Sequence, residues 1–517
     1  MLIRKHSEKV LTAAWCLILV IYWAAILFFN FEGAPRFYCT DMYSDMKYAE
    51  AVWEHKSIAP EGWVFGNQRY AVATPVLASV FYGLTGDHRI AMAIATCLMG
   101  LATVLSFCWM LRPLFSKLHQ RLAAVVAFMS VILLSGDTIF LVNGWQLFFT
   151  MCSYYACYAI TMFLAFGCYL RRSATWSRKT WAVLIFTCLM SIGTGIQSLR
   201  QTIIMTCPIA AMEALALLGR LRRKQPLMDQ SLLVSGALVG SNLLGIALGK
   251  LLPVEQTTIY GSMNLNSLSE ITSSIVPSLK TITELFAEWG KVAAVIFLLI
   301  GIYIIYRIIK ERSITADPMI LCSVLVLTGA AAILFIDIVT TMEIRNIYYF
   351  PLFALMAMWF VWLYTRPKLV LQICGGALVC LCFLLTCTDK TTLTRHLKLP
   401  NHTHPIYTLV EDLKQHGITT VYSSWNCCEY IAVASDFTID AGFWGSRVQP
   451  FRKIDYLCDP SETFDADSTQ CVYVFERIEF AEWAIAAAAE RGVELKLMKY
   501  YPELNFYIYT ADVELMH

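Results

Sequence analysis

The stretch FYCTDMYSDMKYAEAVWEHKS, from Phe37 to Ser57, carries the residue types best suited to chemistry. Asp41 and Asp45 stand four apart, so a helix here puts both carboxylates on one face. Tyr48, Ala49, Val52 and Trp53 follow as an apolar stripe suited to lying on a bilayer. A carboxylate held at a lipid surface can take the proton of an attacking hydroxyl. The plainer explanation is a solvated amphipathic helix with two surface acids. Three arginines also stand out. Arg69 follows Gly66-Asn67-Gln68, and Arg200 sits in a polar break, Gln197 to Gln201, between two apolar blocks. Arg345 shares a loop with Glu343 and precedes Tyr348, Tyr349 and Phe350. Each has a bland counterpart: a solvated cation, a tight turn, a headgroup-level anchor. Asp137 and Asp337 lie near the ends of apolar blocks, where an ionisable group marks either a function or the interface. His402, His404 and His416 match no familiar metal-ligand spacing.

These groups have to be positioned by membrane-spanning elements. The 517 residues are 58% hydrophobic and only 15% charged, against about 25% charged in soluble domains, and the mean hydropathy is +0.58. The apolar residues fall in blocks of about 18–24, long enough to cross a hydrocarbon core of about 30 Å. Spans are expected at 10–29, 88–111, 122–142, 146–170, 181–199, 201–219, 231–252, 290–309, 319–338, 347–364 and 369–387, about eleven to twelve in all. The block Val10 to Phe29 follows Arg4, Lys5 and Lys9 and lacks a small-residue cleavage site, so it reads as an uncleaved first span. Basic clusters fall at 112–121, 171–179, 220–224, 307–312 and 366–368, while 143–145, 253–289 and 337–346 are poor in Lys and Arg. Placing the basic loops inside satisfies the positive-inside rule, with the N-terminus cytoplasmic and the C-terminus outside. Ala71 to Gly86 is too short for a span and contains Pro75. It is expected to lie at or dip into the outer surface, within a long first outer loop, 30–87.

Beyond Thr388 the texture changes. Helical spacing over Pro405–His416 and Glu479–Arg491 alternates with β runs at Thr419–Tyr422, Phe437–Ile439, Cys471–Phe475, Val493–Met498 and Phe506–Tyr509. This suggests an extracytoplasmic α/β domain over 388–517. Most of the eighteen cysteines lie inside apolar blocks, where Cys packs as a small hydrophobe. Cys427, Cys428, Cys458 and Cys471 fall outside them, and a bridge among these four is left open.

The arrangement resembles the GT-C superfamily of membrane glycosyltransferases, which contains protein O-mannosyltransferases and lipid A aminoarabinose transferases. A single N-terminal span leads into a long outer loop bearing Asp41 and Asp45, and Asp45-Met46-Lys47-Tyr48-Ala49 looks like the D-x-x-Y-x-x-A pattern common there, with its Ala early. Thr74-Pro75-Val76-Leu77 resembles the proline element before the next span, and Gly83 to Arg89 resembles a G-x-x-x-x-R stretch opening it. Arg345 to Pro351 looks like the Arg/Tyr-rich start of a late span, and a soluble domain follows the last span as in the family. Two departures stand out. Ala73-Thr74-Pro75-Val76 replaces His-Pro-Pro-Leu, and two Asp four apart replace Asp-x-Asp or Asp-Glu; both leave the base and the need for a divalent metal open.

The resemblance implies transfer of a sugar from a polyprenyl-phosphate donor to an acceptor hydroxyl at the outer membrane face. The acceptor would be a cell-envelope glycan, lipid or protein. Asp45, preferred over Asp41 for its match to the tyrosine-containing pattern, would be the base. Arg345, Arg200 and Arg69 would hold the lipid phosphate, since a guanidinium pairs bidentately with phosphate oxygens. Asp137 would be an acid facing the cavity. Competing readings are a transporter, which usually shows repeat symmetry not found here, and a polysaccharide polymerase or ligase, for which the Ser/Thr/Asn-rich 253–289 loop speaks.

Overall fold

The computed structural model describes residues 2–33, 40–66, 68–135, 144–150, 153, 155–252, 264–311, 314, 317–342, 344–387, 405–423, 428–445, 450–453, 458–464 and 467–516. Among the described residues fifteen α-helices precede the C-terminal unit: α1 (Leu2–Phe28), α2 (Thr40–His55), α3 (Thr74–Thr85), α4 (His88–Met110), α5 (Leu118–Leu133), α6 (Gly144–Phe149), α7 (Ala156–Leu170), α8 (Arg178–Gln197), α9 (Cys207–Arg222), α10 (Gln230–Leu251), α11 (Leu268–Glu284), α12 (Gly290–Glu311), α13 (Pro318–Val339), α14 (Pro351–Tyr364) and α15 (Leu369–Thr386). Among the described residues nine helices are long and apolar enough to cross a membrane. The shorter apolar α5 and α7 occupy two further expected spans. α5, α7 and α14 are buried along nearly their whole length and form the middle of the bundle. α1, α12 and α15 present exposed Leu, Val and Ile such as Leu17, Leu298 and Val370, the surface a bilayer would cover. Hydroxyls tie centre to rim: the Tyr22 hydroxyl of α1 lies 2.7 Å from Ser130 Oγ of α5 and 3.1 Å from Thr386 Oγ1 of α15.

Some sequence expectations shift. The block 146–170 is not one continuous span. α6 ends at Phe149, Ser153 takes a positive φ of 42°, and α7 starts at Ala156. The 253–289 segment was expected as a loop, yet from Leu268 it is α11. A capping box starts it, in which Ser267 Oγ accepts from the Glu270 amide and the Glu270 carboxylate accepts from the Ser267 amide. Serines and threonines dilute its apolar face in the sequence, but Leu268, Ile275, Val276 and Leu279 all stand exposed on it. α3 has 12 residues, about 18 Å at 1.5 Å per residue, too short to cross. Pro75 sits in its first turn, and Gly86 ends it at φ 68°, a conformation costly for other residues.

α8 and α10 cross at close quarters. A Cβ on Gly245 would strike the Ile192 carbonyl, and one on Gly249 would sit 2.9 Å from the Ile196 carbonyl oxygen. Glycines four apart let backbones approach in this way. Asn242, fully buried, pins the crossing: its side-chain oxygen accepts from Thr202 Oγ1 at 2.8 Å and Thr206 Oγ1 at 2.9 Å, and its amide donates to the Ser191 carbonyl at 3.3 Å. Thr202–Thr206 forms a wide π-helical turn before α9, a feature often found beside functional sites.

The C-terminal unit holds a five-stranded sheet in the order β2-β1-β3-β5-β4, with β1 Thr420–Ser423, β2 Asp440–Phe443, β3 Cys471–Phe475, β4 Lys496–Tyr501 and β5 Phe506–Thr510. β1 runs parallel to β2 and β3, and β5 antiparallel to β3 and β4. The helices Pro405–Gln415 and Ile478–Glu490 fall where expected. The strand expected at Phe437–Ile439 begins instead at Asp440, because Asp436 and Phe437 take the left-handed conformation in the turn after the helix Cys428–Ala434. Likewise β4 starts three residues after the expected Val493, once Gly492 has turned the chain at φ 72°.

Candidate active site

α2 is held on three sides, which fixes where its acids stand. Met42, Met46 and Ala49 pack with Ala78 of α3 and Met92 and Ala95 of α4, following helical spacing. Tyr48 and Val52 pack with Trp63, Phe65 and Tyr70 of the following loop, and Tyr43 packs on Ala432, Ala441 and Phe437 of the C-terminal unit. Asp45 is buried at 1% exposure, one turn before Tyr48. The Tyr48 hydroxyl donates to the Ile58 carbonyl at 2.7 Å and contacts the Tyr70 carbonyl at 3.3 Å. Asp41 is on the same helix, but its side chain lies outside the described set, as do Asp137, Glu343, His402 and His404.

Polar residues of α2 meet the C-terminal unit. Lys47 Nζ lies 3.4 Å from Glu50 and 3.2 Å from Asp440. Glu50 accepts from Tyr82 at 2.6 Å and contacts His88 Nε2 at 3.0 Å. Burial alone would raise its carboxyl, but the His88 contact, the Lys47 charge and the Tyr82 hydroxyl hold it down at about 2. Arg89 pairs with Asp436 at 2.8 Å.

Beyond Tyr70 the same loop meets the turn between α8 and α9. The Arg69 amide donates to the Gln197 carbonyl at 3.2 Å, and the amides of Ala71 and Val72 face Gln197 Oε1 at 3.4 and 3.3 Å. Arg69 Nη1 donates to the Gly249 carbonyl at the end of α10. Arg200 reaches back to the loop, its Nη1 donating to Gln68 Oε1 at 2.9 Å and its Nη2 to the Tyr348 hydroxyl at 3.1 Å. Its guanidinium carbon lies 5.1, 5.6 and 6.0 Å from the ring centres of Tyr348, Tyr155 and Tyr158, within cation–π range. Tyr158 closes the network through Ser198 at 2.8 Å and Gln68 at 3.1 Å.

Arg69, Tyr155, Tyr158, Gln197, Arg200 and Tyr348 line a cavity of about 490 Å³. Arg69, Arg200 and Lys250 give it a cationic end. Ile203, Ile246, Ile333, Ile336 and Met342 make an apolar wall. Of the three arginines singled out in the sequence, two line this cavity. Arg345 is half-buried just outside it, next to the lining residue Ile344, and its charge acts on the Tyr155 phenol together with that of Arg200. Asp45 does not line the cavity; it approaches through Tyr48 and Tyr70, the neighbour of Arg69. Sequence reasoning passed over Lys250, Tyr155 and Tyr158. A lysine closing an apolar twenty-residue block was a usable signal for the first; tyrosines in an apolar run gave none. No group of three or more His, Cys, Asp or Glu able to hold a metal occurs among the described residues, a set that leaves out Asp137 and the Asp41 side chain.

The bundle, the surface helices and the C-terminal sheet define a polytopic α-helical fold, with helices long and apolar enough to cross a membrane, followed by an α/β unit. The structure is similar to that of ArnT from Cupriavidus metallidurans bound to undecaprenyl phosphate, at 11% identity and a TM-score of 0.53, covering 98% of this chain and 99% of that one. The apo structure of the same protein matches at 9% identity, with the same TM-score and coverage. At such identity the likeness establishes the fold. No family model matches the sequence, and no curated protein matches it.

Proposed function

We propose that this protein transfers a sugar from a polyprenyl-phosphate donor to an acceptor hydroxyl at the outer face of a membrane. The observation that carries the reading is a cavity that joins a cationic end to an apolar wall: Arg69, Arg200 and Lys250 match a phosphate, and the isoleucines match a prenyl chain. The undecaprenyl phosphate bound to ArnT supports the same donor class. In this reading Arg69 and Arg200 hold the lipid phosphate, and Arg345 adds its field from behind Ile344. Asp45 takes the acceptor proton while the acceptor oxygen bonds to the sugar's anomeric carbon. The bond from that carbon to the lipid phosphate breaks, and the phosphate leaves with the electron pair, stabilised by the arginines. Asp41 is the alternative base on the same helix, and Asp137 is assigned as a cavity acid. The first outer loop and the C-terminal unit share the outer side, with the N-terminus in the cytoplasm.

The test is transfer from a panel of radiolabelled polyprenyl-phosphate sugars by the purified protein. Asp45→Asn should lower turnover by about 10²–10⁴-fold, with donor binding retained. Full activity in both Asp45→Asn and Asp41→Asn would remove the base assignment; no transfer from any donor, with the donors still bound, would favour a transporter.

A further inference from the structure

Three helices that shape the cationic cavity, α7, α10 and α13, enclose a second one at their opposite ends, together with α9. This second cavity, of about 400 Å³, is lined by Arg172, Ser173, Arg220, Arg223, Gln225 and Ser231, with Gly219, Pro318 and Leu321 closing it. Ser231 and Lys250, near the two ends of α10, are about 28 Å apart at 1.5 Å per residue. The two cavities therefore sit close to opposite faces of the same membrane, and this one opens at the end that carries the basic loops 171–179 and 220–224.

Its charges are unbalanced. Arg172, Arg220 and Arg223 line it, while the carboxylates paired with them are the buried Glu213, near Arg172 and Arg220, and the exposed Asp229, on Arg220. Glu213 is 4% exposed and accepts from Ser235 Oγ at 3.0 Å. It stands 3.8 Å from Arg172 Nε and 3.7 Å from Arg220 Nη2, well beyond the about 2.7–2.9 Å of a strong charged hydrogen bond. Arg172 is 7% exposed, and its Nε makes no hydrogen bond among the described residues. Arg172 Nη1 donates to the Tyr169 carbonyl at 2.9 Å and Arg220 Nη1 to Asp229 at 2.8 Å, which leaves Arg172 Nε as a buried charged donor without a close anion, a costly state. Beside it Leu215 and Leu218 of α9 are exposed, leaving a greasy strip next to a cationic niche.

We infer that this pocket binds a phosphate group, carried by an anionic phospholipid whose acyl chains lie along α9. Basic pockets between spans hold such headgroups. The site is separate from the proposed donor cavity.

The experiment uses the full chain, purified in detergent and delipidated. Phosphatidylglycerol, phosphatidylcholine or inorganic phosphate is added, retained lipid is read by native mass spectrometry, and unfolding is followed by fluorescence. Wild type should retain phosphatidylglycerol and melt higher with it, but not with phosphatidylcholine. Arg172→Gln with Arg223→Gln should cut retention about tenfold, the effect of losing charged hydrogen bonds to phosphate. Gly219→Trp keeps every charge while placing a ring in the niche, and a Cβ at Gly219 meets nothing within 4 Å, so this variant should fold and lose the lipid too. An equal rise with inorganic phosphate alone would keep the phosphate site but overturn the lipid as its carrier. Equal retention of phosphatidylcholine, or unchanged retention of phosphatidylglycerol in folded Gly219→Trp, would overturn the proposal.

Discussion

Arg200 uses two guanidinium nitrogens on Gln68 and Tyr348 and still lines the cavity. A planar fork can do this, whereas a lysine ammonium on a flexible stem cannot. Arg200→Lys should therefore weaken donor binding by about 1.5–3 kcal/mol, the usual worth of a charged hydrogen bond, seen as a raised KM; an unchanged KM would mean that Arg200 serves the fold alone. Glu50 gives a pH prediction. Its carboxyl, held at about 2 against an ordinary 4.5, is charged and stabilising at neutral pH, and that contribution is lost as pH falls from about 4.5 toward 2. Hydrogen exchange in α2 should rise over that window, and Glu50→Gln should flatten the change. Among the site residues, the arginines were legible because a cation in an otherwise apolar or outer segment is conspicuous. Tyr155 and Tyr158 were not, because an aromatic in an apolar run looks the same whether it packs in a core or boxes a guanidinium.

Elements were legible wherever period and length agreed. A twenty-residue apolar block has one stable solution in lipid, since its backbone must bond to itself, and most of the span positions follow from that. The breaks did not follow. Nothing in Phe149 to Tyr155 marks the interruption between α6 and α7, because it is enforced by tertiary contacts such as Thr74 with Ser153 at 2.6 Å. α11 was hidden for another reason: its exposed apolar face is interleaved with Ser and Thr, which lower the local average without disturbing the helical period. At this scale the α8–α10 crossing is the weak point. Gly249→Leu should force the helices apart, costing about 1–3 kcal/mol from overpacking, and should also displace the Gly249 carbonyl that Arg69 uses. Lower thermal stability together with weaker donor binding is expected. Asn242→Leu should cost about 1 kcal/mol through the two threonines it leaves without their acceptor, and a denaturation series in mild detergent would measure it.

Across the whole molecule, bundle and sheet are joined at α2. Tyr43 stacks on Phe437 with ring centres 5.7 Å apart, Phe437 lies 4.4 Å from His88, and Val64 bridges to Cys458. Asp440→Ala removes partners of both Lys47 and Tyr43. It should loosen this seam by about 1 kcal/mol, as partly exposed ion pairs do, and raise exchange in residues 40–55 while β3 stays protected. The α/β character of the tail could be read from its alternating elements, but its seat could not. The contacts pair residues nearly 400 positions apart, such as Tyr43 with Asp440, and no local pattern encodes them.

That seat has a practical corollary for anyone who trims the polypeptide. Ala432 and Ala441 are buried, and Phe437 half-buried, against a tyrosine from near the beginning of the chain. A fragment starting after the last apolar helix would carry a wetted greasy spot on the rim of its sheet, and the truncated remainder would carry the matching bare ring. Both halves should tend to self-associate, and mixing them should restore solubility.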